Sequence, residues 1–319
     1  MYAAVVTAFD TPPSYQEFPA PTPDQPDQVL VDVLASGLHP RVRSQADGSH
    51  YTSTDELPLI PGIDGVGRTP DGELRYFVMP DTTIGAMAEQ TVIDLRRSIV
   101  LPPDCDPIAV AAGMNPAMSS WVALRQRISF TPGQSVLVLG ATGSAGRLAI
   151  QVAKHLGAGR VVGAGRQPER LAGLTAIGAD EVVSLDGSPA EVGARLGSAA
   201  ADVDVVIDYL WGGVAAAAMV AIVTQRADRG RPLSWIQIGS MAGPTAEIPS
   251  AALRAARLQI VGSGQGSVPT RDILTELPAL AAEISRGGFD IDARPVPLRD
   301  VETAWKDTTG DQRVVITPN

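Results

Sequence analysis

From Ser135 onward the chain alternates between short apolar runs and longer segments in which apolar residues return every three or four positions. The runs are SVLVLG, RVVGAG, EVVSL, DVVIDYL, LSWIQIG and LQIVGSG, each with the length and continuity of a strand covered on both faces. Between them the spacing is helical. From Ser144 to Leu156, Ala145, Leu148, Ala149, Val152 and Leu156 share one face, and Gly157 stands where a helix would stop. Pro168 is placed to open a second helix, and Pro278 to kink a longer one over about 269–286. Strands alternating with helices predict an α/β domain, a doubly wound parallel sheet.

Residues 1 to about 112 have another texture. They are rich in proline and broken into short β-type runs such as VLVDVLAS and GAMAEQTVI, separated by turn clusters, which predicts a mostly-β region. After Gly287-Gly288 the chain returns to short strands with a small helix around Val301 to Asp307, and this tail is expected to rejoin the first region. The predicted domains are therefore 1–112 with 289–319, and 113–288. A chain of 319 residues is long enough for two such cores.

Composition narrows the function classes. Hydrophobic residues make up 45% and charged residues 19%, a globular balance that excludes fibrous and low-complexity readings. No run approaches the ~18 apolar residues of a membrane helix, and the start, MYAAVVTAFDTPPSY, lacks the basic end and apolar stretch of a signal peptide. The expectation is a cytoplasmic protein that does not enter a membrane. The net charge of −10 would repel a phosphate backbone, so nucleic acid is not an expected partner. Cys105 is the only cysteine, and His39, His50 and His155 the only histidines. An internal disulfide is impossible, and no metal site is expected. His50 is expected in a solvated turn, and His155, inside the first helix, in a structural role.

The candidate chemistry lies where SVLVLG runs into the first helix. Gly140, Gly143 and Gly146 are spaced as Gly-x-x-Gly-x-x-Gly across a strand-to-helix turn. Glycines there let the backbone turn tightly and approach a pyrophosphate, while the helix N-terminus offers free N–H groups. Gly140, Thr142, Gly143, Ser144, Ala145 and Gly146 are thus candidate dinucleotide contacts. About 20 residues on, a ribose 2′-hydroxyl would call for an acid, but the sequence reads Ala164-Gly165-Arg166-Gln167. Arg166 is cationic and Gly165 leaves space. From Arg147 to Arg170 the basic residues are Arg147, Lys154, Arg160, Arg166 and Arg170, against the single acid Glu169. This reversal of the chain's charge favours a 2′-phosphate, hence NADPH, with Gly165, Arg166, Gln167 and Arg170 as candidate contacts. Gly239 and Ser240, then Gly262, Ser263 and Gly264, end later strands where a nicotinamide ring needs room.

With these residues in place, the chain resembles the zinc-independent quinone oxidoreductase, or zeta-crystallin-like, branch of the medium-chain dehydrogenase/reductase superfamily. The resemblance rests on Ala35-Ser36-Gly37-Leu38-His39-Pro40, Gly48-Ser49-His50-Tyr51, Pro61-Gly62-Ile63-Asp64-Gly65-Val66-Gly67, Gly85-Ala86-Met87-Ala88-Glu89, the glycine turn, QVAKHLGA and VPLRDVETAW. It implies a GroES-like catalytic domain made from both chain ends, a Rossmann domain between them, and a homodimer. In relatives the strand matching LQIVGSGQGS pairs across the dimer. The zinc-ligand positions of metal-dependent relatives hold His39, Ile63 and Asp64. A Tyr common near the 2′-phosphate is replaced by Leu185. Ser119 falls where relatives often carry a Thr near the nicotinamide amide.

Without a Lewis acid to polarise an ordinary ketone, substrates already activated by conjugation are the natural hydride acceptors: quinones, enones and enals. Addition to an enone leaves an enolate that needs a hydrogen-bond donor at its oxygen. Tyr51 and His39, in the segment the family sets beside the nicotinamide, are the candidate donors. A carbonyl reductase, an atypical short-chain reductase, and a non-catalytic NADPH sensor or structural protein of the same fold remain open alternatives.

Overall fold

The computed structural model describes residues 1–50, 52–264, 266–307 and 312–318. It forms two compact units, Met1–Asn115 with Leu274–Asn319, and Pro116–Ile273. The second crossing between units comes near the start of a long helix rather than after Gly287-Gly288.

The first unit opens with an antiparallel ribbon of β1 (Tyr2–Val5) and β2 (Ser14–Glu17). The ten-residue β3 (Gln28–Gly37) follows, with Val31, Val33 and Ala35 buried in alternation as a half-covered strand requires. Next come α1 (Pro40–Ala46), β4 (Asp64–Arg68), β5 (Leu74–Val78), β6 (Gln90–Asp94), β7 (Ser98–Val100) and α2 (Pro107–Val122), which crosses into the second unit.

The second unit alternates β8 (Ser135–Leu139), α3 (Ser144–His155), β9 (Arg160–Gly165), α4 (Pro168–Ala172), β10 (Glu181–Ser184), α5 (Pro189–Ala200), β11 (Val205–Asp208), α6 (Gly212–Gln225), β12 (Leu233–Gln237), α7 (Ala252–Ala255) and β13 (Leu258–Gly262). All six strands are parallel, in the order β10-β9-β8-β11-β12-β13. That is the doubly wound order, which reverses between β8 and β11. Val136, Leu137, Val138 and Leu139 of β8 are fully buried, and each large apolar side chain so buried contributes about 1.5–3 kcal/mol. Leu137, Val206 and Trp235 meet Leu196, Met219 and Ile222 of α5 and α6 in one core.

The helix after the glycine turn ends at His155, one residue earlier than the spacing predicts. Its buried face is wider than one stripe. Ile150 and Ala153 join Leu148, Ala149 and Val152, while Ala145 and Leu156 are only half-buried. The reason is a second covering element: Ile150 reaches Gly163 of β9 beside Leu174, which leads into a short 3₁₀ turn. α8 (Thr270–Ser285) contains Pro278 and is not broken by it. The tail adds β14 (Ala293–Pro297), α9 (Val301–Lys306) and β15 (Arg313–Thr317), and β15 pairs with β3. The tail thus completes a seven-stranded sheet of the first unit, ordered β14-β15-β3-β4-β5-β7 with β6 also on β3.

Candidate functional site

Buried β8 delivers the chain to a turn whose shape only glycine accepts cheaply. Gly140 has φ 86°, in the left-handed region where a Cβ is strained. The amides of Gly140 and Ala141 both donate to the Ala164 carbonyl, at 3.0 and 2.9 Å, which ties the turn to the end of β9. Gly146, in the first turn of α3, is buried, and a Cβ on it would lie 2.2 Å from the Gly140 oxygen and 2.6 Å from Ala141 Cα. The Arg147 amide closes the first helical turn on the Gly143 oxygen at 2.8 Å. The amides of Ser144, Ala145 and Gly146 donate to nothing among the described residues. Three unpaired donors at the positive end of a helix, beside a backbone stripped of side chains, fit a pyrophosphate.

The end of β9 presses against this turn. A Cβ on buried Gly165 would stand 2.6 Å from Thr142 Cγ2, so the two predicted segments form one surface. Arg166 and Gln167 are exposed beyond it, and Arg166 has no hydrogen bond or ion pair among the described residues. The neighbouring basic residues are not equivalent. Lys154 bonds Asp180, and Arg160 bonds Glu181, so both are spent on structure, while Arg147 and half-buried Arg170 have partners of their own. Arg166 is the cation left for an incoming anion. Leu185, just beyond β10, is buried and offers no polar contact.

Across the reversal of strand order, β11 ends in a polar pair that the sequence reading did not single out. Asp208 is fully buried. Its Oδ1 accepts from the amides of Leu210 and Trp211 at 2.8 and 2.9 Å, and its Oδ2 from Trp235 Nε1 at 2.9 Å. Burial raises its pKa, and these donors oppose the rise. The carboxylate holds a tight turn in which Trp211 has φ 53°, and that turn fixes Tyr209 beside Gly140, whose added Cβ would meet Tyr209 Cβ at 3.3 Å. The Tyr209 hydroxyl lies 2.8 Å from Ser119 Oγ, and Ser119 Oγ donates to the Pro116 carbonyl at 2.7 Å. Burial pushes the Tyr209 phenol up to about 12, against hydrogen bonds with Ser119 and Ser120, so it keeps its proton at neutral pH. A polar pair closing the apolar run DVVIDYL was the available signal.

The later glycines differ from one another. Gly239, past β12, has no space for a side chain, because a Cβ would meet the Tyr209 oxygen at 2.7 Å; Ser240 beside it is exposed. At Gly262 a Cβ would meet nothing within 4 Å, so crowding does not dictate glycine there. Ser263 is half-buried, and the amide of exposed Gly264 is already taken by Ser267 Oγ at 2.8 Å.

In the first unit, Tyr51 lies outside the described residues. His50 is half-buried, with Nδ1 2.9 Å from Thr52 Oγ1, rather than solvated. His39 is not on an open loop: it precedes α1 and is 2% exposed, packed so tightly that a Cβ on Gly37 would meet its ring at 2.4 Å. Its Nε2 is 3.2 Å from Asp64 Oδ1, off the line a hydrogen bond requires, so neither atom is satisfied. Asp64 Oδ2 accepts from Tyr76 Oη at 2.6 Å. Burial lowers the His39 pKa, partly offset by Asp64, with Arg313 and Arg41 adding to the fall. Burial also lowers Arg313, to about 10 against the pull of Asp64, which leaves it cationic at neutral pH. The result is a buried neutral imidazole beside a compensated carboxylate. His155 is exposed on α3 and its ring lies 5.3 Å from that of Trp121.

The sequence profile of the zinc-binding dehydrogenase family matches residues 145–283. The chain is 34% identical, over the whole of both sequences, to the Probable NADPH-dependent quinone reductase tdiC of Emericella nidulans. It is 29% identical to the chloroplastic NADPH-dependent alkenal/one oxidoreductase of Arabidopsis thaliana over 48% of this chain and 44% of that one. The quinone oxidoreductase of Thermus thermophilus, whose structures include a complex with NADPH, superposes with a TM-score of 0.82 at 24% identity, covering 99% of this chain and 100% of the other.

Proposed function

The chain belongs to the quinone oxidoreductase family of medium-chain dehydrogenases/reductases, with a GroES-like unit and a Rossmann unit, and on that premise we propose that it is an NADPH-dependent reductase of quinones or α,β-unsaturated carbonyls that works without a metal. The observation that carries the reading is the turn in which Gly146 meets the Gly140 carbonyl and three amides stand unpaired. Ser144, Ala145 and Gly146 would hold the pyrophosphate, and Arg166, flanked by Gln167 and Arg170, the 2′-phosphate. Ser119, Gly239, Ser240, Ser263 and Gly264 would border the nicotinamide half.

When bound, the cofactor supplies a hydride from C4 of its nicotinamide to an electron-poor carbon or a quinone. The protein's task is to orient that pair and to meet the negative charge that develops on the acceptor oxygen. We assign the donor role to Tyr51 or His39. His39 is neutral, so it carries one N–H, with Asp64 Oδ1 3.2 Å from its Nε2. Removing a donor to a developing oxyanion costs on the order of 10²–10³ in turnover. A cytoplasmic homodimer completes the reading. It is supported by the exposed edge of β13 and by the lack, among the described residues, of any helix long and apolar enough to cross a membrane.

The test is NADPH oxidation with 1,4-benzoquinone, an alkenal and a simple ketone as acceptors. The first two should turn over and the ketone should not. Tyr51→Phe should slow the alkenal more than the quinone, which needs less help. NADPH binding with no turnover on any conjugated acceptor would overturn the reading in favour of a sensor.

A further inference from the structure

We propose that Met241 is a site of oxidation: hydrogen peroxide converts its thioether to the sulfoxide before any other methionine of the chain, and the change weakens NADPH. The effect on NADPH rests on the reading above, whereas the order of oxidation does not. The chain has 7 methionines. Met79, Met87, Met114 and Met219 are buried, and Met1 and Met118 are half-buried, but Met241 is 76% exposed. An oxidant dissolved in water reaches a thioether according to its exposure, so Met241 reacts first. In that step a sulfur lone pair attacks one peroxide oxygen, the S–O bond forms as the O–O bond breaks, and the proton on the transferred oxygen passes to the departing hydroxide. Water leaves, sulfur has lost two electrons and the peroxide has gained them. A hydroquinone product supplies the oxidant, because dioxygen that takes back its two electrons and two protons becomes hydrogen peroxide.

The backbone of Met241 is held in place although its side chain is uncovered. The Gly243 amide donates to the Ser240 carbonyl at 3.1 Å, closing a turn with Met241 and Ala242 at its centre. The amides of Met241 and Ala242 donate to the carbonyls of Tyr209 and Leu210 at 3.2 and 2.8 Å, which ties the turn to the end of β11. Just before it, a Cβ on Gly239 would meet the Tyr209 oxygen at 2.7 Å. The thioether is therefore presented at the carboxyl end of β12, on the side of a doubly wound sheet where a dinucleotide lies. Arg166 marks the adenosine side beyond β9, so the nicotinamide half falls to the ends of β11 and β12. An apolar thioether there can be covered by the cofactor at little cost. The sulfoxide oxygen is a polar acceptor, and covering it strips water that nothing replaces.

The test treats the purified protein with hydrogen peroxide, with and without saturating NADPH, and follows each methionine by peptide mass spectrometry. NADPH binding and Tm are then measured on protein oxidised at Met241 alone. Met241 should be oxidised ahead of the other methionines, and bound NADPH should slow its oxidation severalfold. The sulfoxide should weaken NADPH about tenfold, the order of one acceptor stripped of water, and leave Tm unchanged. In Met241→Leu the same treatment should not move the NADPH dissociation constant from its value before peroxide. Another methionine oxidised first, equal rates with and without NADPH, an affinity unmoved by the sulfoxide, or a peroxide effect that persists in Met241→Leu overturns the inference and leaves the NADPH reading intact. A fall in Tm that accompanies the lost affinity overturns it too, because the change then acts through the fold. No binding of NADPH by the untreated protein overturns both.

Discussion

Gly146 Cα lies so close to the Gly140 carbonyl that a Cβ on it would stand 2.2 Å from the oxygen, with Ala141 Cα at 2.6 Å. Both neighbours are backbone and cannot swing aside. Gly146→Ala should therefore destabilise the fold by about 1–3 kcal/mol, as overpacking does, and weaken NADPH at least ~10-fold by displacing the amides of Ser144–Gly146. Gly262→Ala, with nothing within 4 Å, is the matched control for stability and should leave the melting temperature unchanged. Thermal melts and calorimetric titration of both variants check this; equal behaviour would refute it.

Arg166 carries the cofactor choice. It is exposed, unpaired among the described residues, and accompanied by no acid at the end of β9. NADPH should bind at least ~10-fold more tightly than NADH, a difference of about 1.4 kcal/mol, and Arg166→Ala should remove most of it. Because the contact is exposed, added salt should narrow the difference as well. Equal dissociation constants in the unmutated protein would sink the prediction.

Acid should weaken the fold through His39. Burial lowers its pKa, with Asp64 opposing and Arg313 and Arg41 reinforcing, so the unfolded chain binds the proton at a pH where the folded ring does not. Stability is whole above the unfolded value of about 6.5 and is lost as pH falls below it. Between pH 7.5 and 5.0 the wild-type Tm should fall more steeply than that of His39→Asn. His50, also shifted down mainly by burial, is present in both proteins and cancels. Parallel slopes would rule the effect out.

Activity should survive removal of metals. Among the described residues no three His, Cys, Asp or Glu side chains gather closely enough to hold an ion. Dialysis against a chelator should leave turnover and Tm unchanged. Stoichiometric zinc, lost together with activity, would contradict this.

A dimer should form along β13. Among the described residues the strand pairs with β12 on one side only, and Ile260 on it is 37% exposed, leaving an apolar edge of the kind another strand completes. Light scattering should give the mass of two chains, and Ile260→Arg should shift the population toward one. A single-chain mass for the wild type at micromolar concentration would exclude the dimer.

The parallel sheet, the glycine turn and the basic residue after β9 were legible in the sequence because each is local. Buried parallel strands are written as continuous apolar runs, and a pyrophosphate turn as glycines at fixed spacing between strand and helix. What lay beyond reach was every property set by residues distant in sequence. The sequence marks Arg147, Lys154, Arg160, Arg166 and Arg170 alike, and only the partners brought up by β10 distinguish Lys154 and Arg160, already paired, from Arg166. Gly146 and Gly262 read the same as letters, yet one is pinned against backbone and the other stands in open space. His39 read as a loop residue until β4, β5 and β15 closed Asp64, Tyr76 and Arg313 around it. Ser119 found its hydroxyl partner in Tyr209, 90 residues away. Chain periodicity fixes which face of an element is apolar, whereas burial, proton direction and the pairing of charges depend on which elements fold together, and those contacts exist only in the tertiary structure.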